Sequence, residues 1–148
     1  MPDLDPRRQR VLDEAESWLH TPYHPHGRVK GAGCDCLTFL AEVYEQAGII
    51  SHVDLPFYRP DRMLHSHEEL YLEGVLEHGR EVETPEPGDV VLYKWGRIFA
   101  HAGIVFDWPR ILHANAPYGV MWAKGTEAAL AYDRRGQPRP IKFVTPFL

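Results

Sequence analysis

The apolar positions change their period part-way along the chain, from helical spacing to alternation. Asp5 followed by Pro6 reads as an N-cap with proline at the first helical position. Val11, Leu12, Ala15, Trp18 and Leu19 then recur at helical spacing, which predicts a helix with one buried face. "HTPYHPHGRVKGAG" interrupts the pattern with two prolines and three glycines and predicts a long loop, a place where function concentrates. Asp35 is placed to cap a second helix whose stripe is Leu37, Leu40, Ala41, Tyr44 and Ala47, with Gly48 as its stop. Residues 51 to 65 show no period and read as a connector. Ser66 and Glu69 form a capping-box pattern ahead of Leu70, Leu72, Val75 and Leu76, ending at Gly79.

Beyond that point the pattern becomes that of strands. "PEPGDVVLYKW" is a turn feeding a β-branched run, and "HAGIVF", "RILHAN", "GVMWA" and "PIKFVTPF" follow with short breaks. Helices first and strands afterwards predict an α+β fold, with N-terminal helices packed on an antiparallel sheet. A length of 148 residues suits one domain, 1–148, burying about two-thirds of its unfolded surface.

Composition narrows the function classes. The formal charge is −5, and the basic pairs Arg7–Arg8 and Arg134–Arg135 read as solvated surface, so nucleic acid is not an expected partner. No apolar run approaches a membrane span, and "MPDLDPRRQR" has no apolar core of a secretory signal. The expected localisation is therefore cytoplasmic as synthesised. Two cysteines make no disulfide framework, and a bridge from Cys34 to Cys36 would close a small strained ring, so both are expected as free thiols.

Those thiols carry the candidate chemistry. Cys36 would be the first residue inside the second helix, facing unpaired backbone N–H groups and the positive end of the helix dipole. Such a position favours thiolate and marks a nucleophile; a small buried residue at a helix start is the competing reading. Cys34, in the loop before the helix, is expected to be an ordinary thiol. A nucleophilic cysteine needs a base from elsewhere in the chain. Of nine histidines, His52, His65, His67 and His78 read as surface, whereas His101 and His113 sit in apolar strand patterns. His101, Gly103 and Val105 share one face of "HAGIVF". If the next strand pairs as a hairpin with an odd number of intervening residues, His113 shares that face and one imidazole can orient the other.

Asp-Cys at a helix start, a strand histidine and a second polar residue on the next strand resemble the NlpC/P60 family of cysteine peptidases. The similar pieces are "TPY" before the loop, "DC" at 35–36, "PGDVV" at 87–91, "HAGIV" at 101–105 and "LHA" at 112–114, in the family's order over most of residues 15 to 115. The "GAGCDCLTFL" version looks most like the phage and gene-transfer-agent cell-wall peptidases of that family. The resemblance implies a papain-like α+β fold and hydrolysis of bacterial peptidoglycan stem peptides, at the bond between D-γ-glutamate and a diamino acid, with no cofactor. It implies Cys36 as nucleophile, His101 as general base, His113 as the residue orienting it, and Tyr23 as a hydroxyl facing the oxyanion. A phage tail or transfer-agent particle would be the implied partner, delivering the enzyme to the wall; lysis would be the other route. Leu37–Thr38 replace the family's usual Ser-Gly after Asp-Cys, and "HPHG" follows Tyr23 where the family has a glycine-rich stretch.

Other readings stand beside this one. His24, His26, Cys34 and Cys36 are zinc-compatible types, although the single residue between the cysteines is short for a structural zinc site. A non-catalytic phage-tail or scaffold component could keep the same fold, and amidase or acyl-transfer chemistry would use the same thiolate and base. Trp95, Trp108 and Trp122 read as core or rim aromatics more than as a glycan groove. Asp89 reads as a turn residue and Asp35 as a cap.

Overall fold

The computed structural model describes residues 4–55 and 70–147. Helix α1 spans Pro6–Glu16 and opens as expected, with the Asp5 carboxylate accepting from the Arg7 N–H at 2.9 Å. It closes sooner than the hydrophobic spacing predicts. The Ser17 hydroxyl donates to the Glu14 carbonyl at 2.6 Å, and the N–H groups of Trp18 and Leu19 reach back only three residues, so the last turn tightens. Trp18 still joins the buried face, with its ring edge-on to Phe39 at 6.1 Å. A small hairpin of β1 (Arg28–Val29) and β2 (Gly33–Cys34) folds inside the stretch read as loop.

Helix α2, Cys36–Gln46, is capped at both ends. Asp35 accepts from the N–H groups of Leu37 and Thr38, while the Thr38 hydroxyl accepts from the Asp35 N–H at 2.8 Å. At the other end Gly48 takes a φ of 77°, and the N–H groups of Gly48 and Ile49 return to Glu45 and Tyr44. Helix α3 is Leu70–Glu77; the proposed capping pair Ser66 and Glu69, with His65 and His67, lies outside the described residues. Among the described residues, no helix is long and apolar enough to cross a membrane.

The strands β3 (Arg80–Val82), β4 (Val90–Trp95), β5 (Ile98–Val105), β6 (Arg110–Asn115), β7 (Gly119–Lys124) and β8 (Ile141–Thr145) form an antiparallel sheet of six. Their order is β3-β8-β4-β5-β6-β7, so β8 inserts between β3 and β4. The fold is α+β, as the change of period predicts. Neither β3 nor the short helix α4 (Ala128–Ala131) is visible in that pattern. One face of the sheet meets α1 and α2 through Val90, Leu92, Ala102, Ile104 and Leu112. The other face carries Val91, Tyr93, Val105 and Ile111 beneath Leu130 of α4, which explains why β5 is buried along its whole length.

One expectation is corrected here. Arg7 is exposed, but Arg8 is only 9% exposed and is not solvated surface. Residue 8 lies one helical turn before Val11 and two before Ala15, on the buried stripe. Its guanidinium donates to the buried Asp89 carboxylate at 2.9 Å and to the Pro87 carbonyl at 3.0 Å, and stacks over Phe147. Asp89 is thus more than a turn residue: it also accepts from the Glu86 N–H at 2.8 Å and pins the "PGD" turn to α1. Removing one partner of such a pair leaves a buried charge unanswered. Asp89→Ala is expected to lower the unfolding free energy by about 3–5 kcal/mol, read as a lower urea midpoint at unchanged slope. Arg8→Leu combined with Asp89→Leu should cost less than the two single changes together.

Candidate active site

Cys36 is the first residue of α2, half-buried at the junction of that helix with the loop before it. The junction is organised by Asp35, whose carboxylate accepts from Leu37 and Thr38 of the helix and from the His26 N–H of the loop, the last at 2.8 Å. This modifies the sequence argument. Two of the helix-start N–H groups assigned to the Cys36 sulfur are taken by Asp35, so the helix end polarises Cys36 less than an uncapped terminus would. Cys34 is not in a loop but on β2, fully buried, its N–H donating to the Pro22 carbonyl and its carbonyl accepting from His24. Burial first, and the Asp35 charge second, push its thiol up to about 12. Tyr23 lies against Cys34 in a parallel bridge.

The two strand histidines come together. Val105 pairs with Ile111, leaving residues 106 to 110 between them, an odd number, so His101 and His113 share a face. His101 Nε2 and His113 Nδ1 are 2.8 Å apart. Gly103 leaves room for β6 beside it: a Cβ there would lie 3.3 Å from the His113 Cβ and 3.0 Å from Ile111 Cδ1, tighter than ordinary contact. A bulge then re-aims the strand. Tyr93 pairs with His101 but Lys94 pairs with Phe99, so Ala100 is the extra residue. The Cys36 sulfur sits 3.9 Å from the carbonyl oxygen of Ala100, against the peptide that links Ala100 to His101. The β5–β6 backbone ladder covers Ile104–Leu112 and Val105–Ile111, so Ala100 and His101 lie outside it, and His101 meets β6 through its side chain.

No protein-family model and no curated protein matches the chain. Solved structures do. The chain is similar to the NlpC/p60 domain of the peptidoglycan hydrolase SagA, with a TM-score of 0.59 and 18% identity over 93% of this chain and 97% of that one. It is similar to NlpC1 from Trichomonas vaginalis at a TM-score of 0.65 and 16% identity, over 97% of this chain and 45% of that one. It is also similar to RipD from Mycobacterium tuberculosis, described as a non-catalytic NlpC/p60 domain protein adapted to peptidoglycan binding, with a TM-score of 0.56 and 15% identity over 96% and 98%. The fold is that of NlpC/P60 domains.

Within this NlpC/P60 fold the electrostatics of the site are dominated by burial. His101 is 3% exposed and its imidazole is held well below its usual pKa, by burial first and by the neighbouring His113 second. Burial pushes His113 down to about 4. Both rings are therefore neutral at neutral pH, and the 2.8 Å contact is one imidazole N–H donating to the other ring's bare nitrogen. The Tyr23 phenol is pushed up, chiefly by burial and then by the acidic groups of Cys36, Asp35 and Cys34 around it, so it keeps its proton. Sequence reasoning missed Trp95, whose indole stacks on His101 with ring centroids 4.4 Å apart and planes within 7°. Its position on the His101 face was legible from the strand alternation; the stack was not. Trp108 and Trp122 pack against Phe143 and Phe106, as core aromatics do.

His24, His26, Cys34 and Cys36 do not assemble as metal ligands: among the described residues, no three His, Cys, Asp or Glu side chains cluster in that way. His24 Nδ1 instead lies 3.1 Å from the Pro25 carbonyl.

The buried histidines also make stability depend on pH. A folded-state pKa of about 4 for His113 against an ordinary 6.5 means that the unfolded chain binds the extra proton first. The stabilising contribution is complete above about pH 6.5 and is lost as pH falls toward 4. Urea unfolding across that window should show a fall of up to about 3 kcal/mol from His113, and His113→Gln should flatten the slope.

Proposed function

We propose that the protein is a cysteine peptidase of the bacterial cell wall, cleaving the stem peptides of peptidoglycan between D-γ-glutamate and a diamino acid. The observations that carry this reading are the imidazole pair, His101 and His113 at 2.8 Å, and a helix-start cysteine whose sulfur lies against the Ala100 carbonyl, on the peptide that leads into His101. The NlpC/P60 fold and the peptidoglycan hydrolases that share it support the substrate class.

In this mechanism His101 Nε2–H donates to His113 Nδ1, which leaves His101 Nδ1 as the base for Cys36. His101 takes the thiol proton as sulfur attacks the scissile carbonyl carbon. The carbonyl π electrons move onto oxygen, and the oxyanion receives hydrogen bonds from the Cys36 N–H and the protonated Tyr23 phenol. Collapse expels the amine, which takes the proton back from His101 and leaves a thioester. Water, deprotonated by His101, then hydrolyses the thioester. Because burial favours neutral imidazole, His101 is charged only transiently, and neutral His113 steers it without a full counter-charge.

Delivery to the wall on a phage-like or gene-transfer-agent particle, or by lysis, belongs to the same reading and rests on the "GAGCDCLTFL" resemblance. RipD marks the second reading, in which the fold binds peptidoglycan without cutting it.

The test is incubation with defined muropeptides and mass spectrometry of the products. Cys36→Ala and His101→Ala should abolish cleavage, while Cys34→Ala should retain it within a few-fold. His113→Asn, which keeps an acceptor near the Nδ1 position, should lose roughly 10-fold and His113→Ala roughly 100- to 1,000-fold in kcat. Retention of muropeptide without cleavage by the wild type would favour the binding reading. Cleavage that survives Cys36→Ala would exclude the mechanism.

A further inference from the structure

The hydrogen bond to His113 does not by itself define the His101 ring. It anchors Nε2 and would be lost if the ring turned over about Cβ–Cγ, but that torsion is broad in a histidine, so the ring can still tilt. A tilt about that bond displaces the Nδ1 edge of the ring. The remaining restraint must come from a flat surface against the ring face. Tyr93, directly opposite His101 on β4, does not supply one: its ring is tilted by 36° at 6.2 Å, and its hydroxyl is committed to the Gly125 carbonyl. Trp95 does, at 4.4 Å and 7°.

Two further observations set Trp95 apart from an ordinary packing residue. Its indole Nε1 is buried and, among the described residues, has no hydrogen-bond partner. A buried N–H without a partner is unfavourable, and a leucine or methionine would fill space without it. The indole is also located by the bulge at Ala100, which shifts the register so that Trp95 pairs with Ile98, and by the Arg139 guanidinium 5.6 Å from its ring centroid. Arg139 is itself fixed by donating to the Tyr132 carbonyl at 3.2 Å. The chain thus invests three separate elements, β4, β5 and the segment before β8, in one ring plane.

We propose that Trp95 is a positioning residue of the site, fixing the plane of His101 so that Nε2 meets His113 while Nδ1 is presented to Cys36. This rests on the peptidase reading above. Its role is to hold the reactive orientation and to keep water from the His101 face, and it touches no substrate.

The test reads Cys36 directly and so does not depend on knowing the substrate. In a Cys34→Ala background, the rate of Cys36 alkylation by iodoacetamide is followed from pH 4 to 10 in Trp95, Trp95→Phe, Trp95→Met and His101→Ala proteins. Melting curves establish that each is folded. The expected result is that Trp95→Met, which keeps apolar volume without a plane, falls about 10-fold or more toward the His101→Ala profile, while Trp95→Phe stays within about threefold of wild type. With muropeptide, Trp95→Met should lose kcat with KM nearly unchanged. Wild-type reactivity in Trp95→Met would overturn the proposal and leave the peptidase reading intact. Should Trp95→Met not fold, Trp95→Phe still decides: a folded Phe variant as slow as His101→Ala would show that a flat ring is not what matters. If wild type and His101→Ala share one profile, His101 does not serve Cys36, and the peptidase mechanism and this inference fall together.

Discussion

One buried carboxylate carries much of this structure. Asp35 is 1% exposed, and its two oxygens hold the first turn of α2 on one side and the His26 backbone of the preceding loop on the other. That single group fixes where the helix begins, which way Cys36 leaves it, and how the β1–β2 hairpin lies beside it. A burial so complete is tolerable for a carboxylate only because its acceptor sites are occupied by N–H donors. It also separates the two cysteines by environment. Cys34, before the cap, is sealed in the hairpin, and Cys36, after it, is half-buried with its sulfur against the Ala100 carbonyl of β5.

The sheet supplies the other half of the site through two departures from regularity. Gly103 removes a side chain where β6 passes close at Ile111 and His113, and the bulge at Ala100 falls where a backbone carbonyl lies against the Cys36 sulfur. Both are small, and both fall on β5. With both faces of that strand covered, neither irregularity can relax by exposing the strand to water. A side chain at residue 103 would have pressed on Ile111 and on the Cβ of His113.

How much of this was legible in the sequence depends on the range of the interaction. Local signals were read correctly: the Asp5 and Asp35 caps, the Gly48 stop and the alternation that puts His101 and His113 on strands. Parity stated the condition under which the histidines meet, but the length of the turn had to come from the structure. Arg8 was misread because charge was weighed above helical position, although residue 8 falls on the stripe with Val11 and Ala15. Its partner Asp89 is 81 residues away, beyond any local pattern. The bulge, the Trp95 stack and the two-residue hairpin were invisible for the same reason: each is decided by what lies opposite, and composition does not record it.

The placement of β8 bears on how the molecule comes into being. It is drawn from residues 141–145 yet lies inside the sheet, against β4, the strand that bears Tyr93 and Trp95. A ribosome releasing this chain therefore exposes both histidine strands well before the strand that buttresses their neighbour. Pairing over such separations is slow and closes late. The nascent chain thus has Cys36 and its helix made while the sheet is still incomplete, so the surroundings of His101 are finished only when the sheet closes.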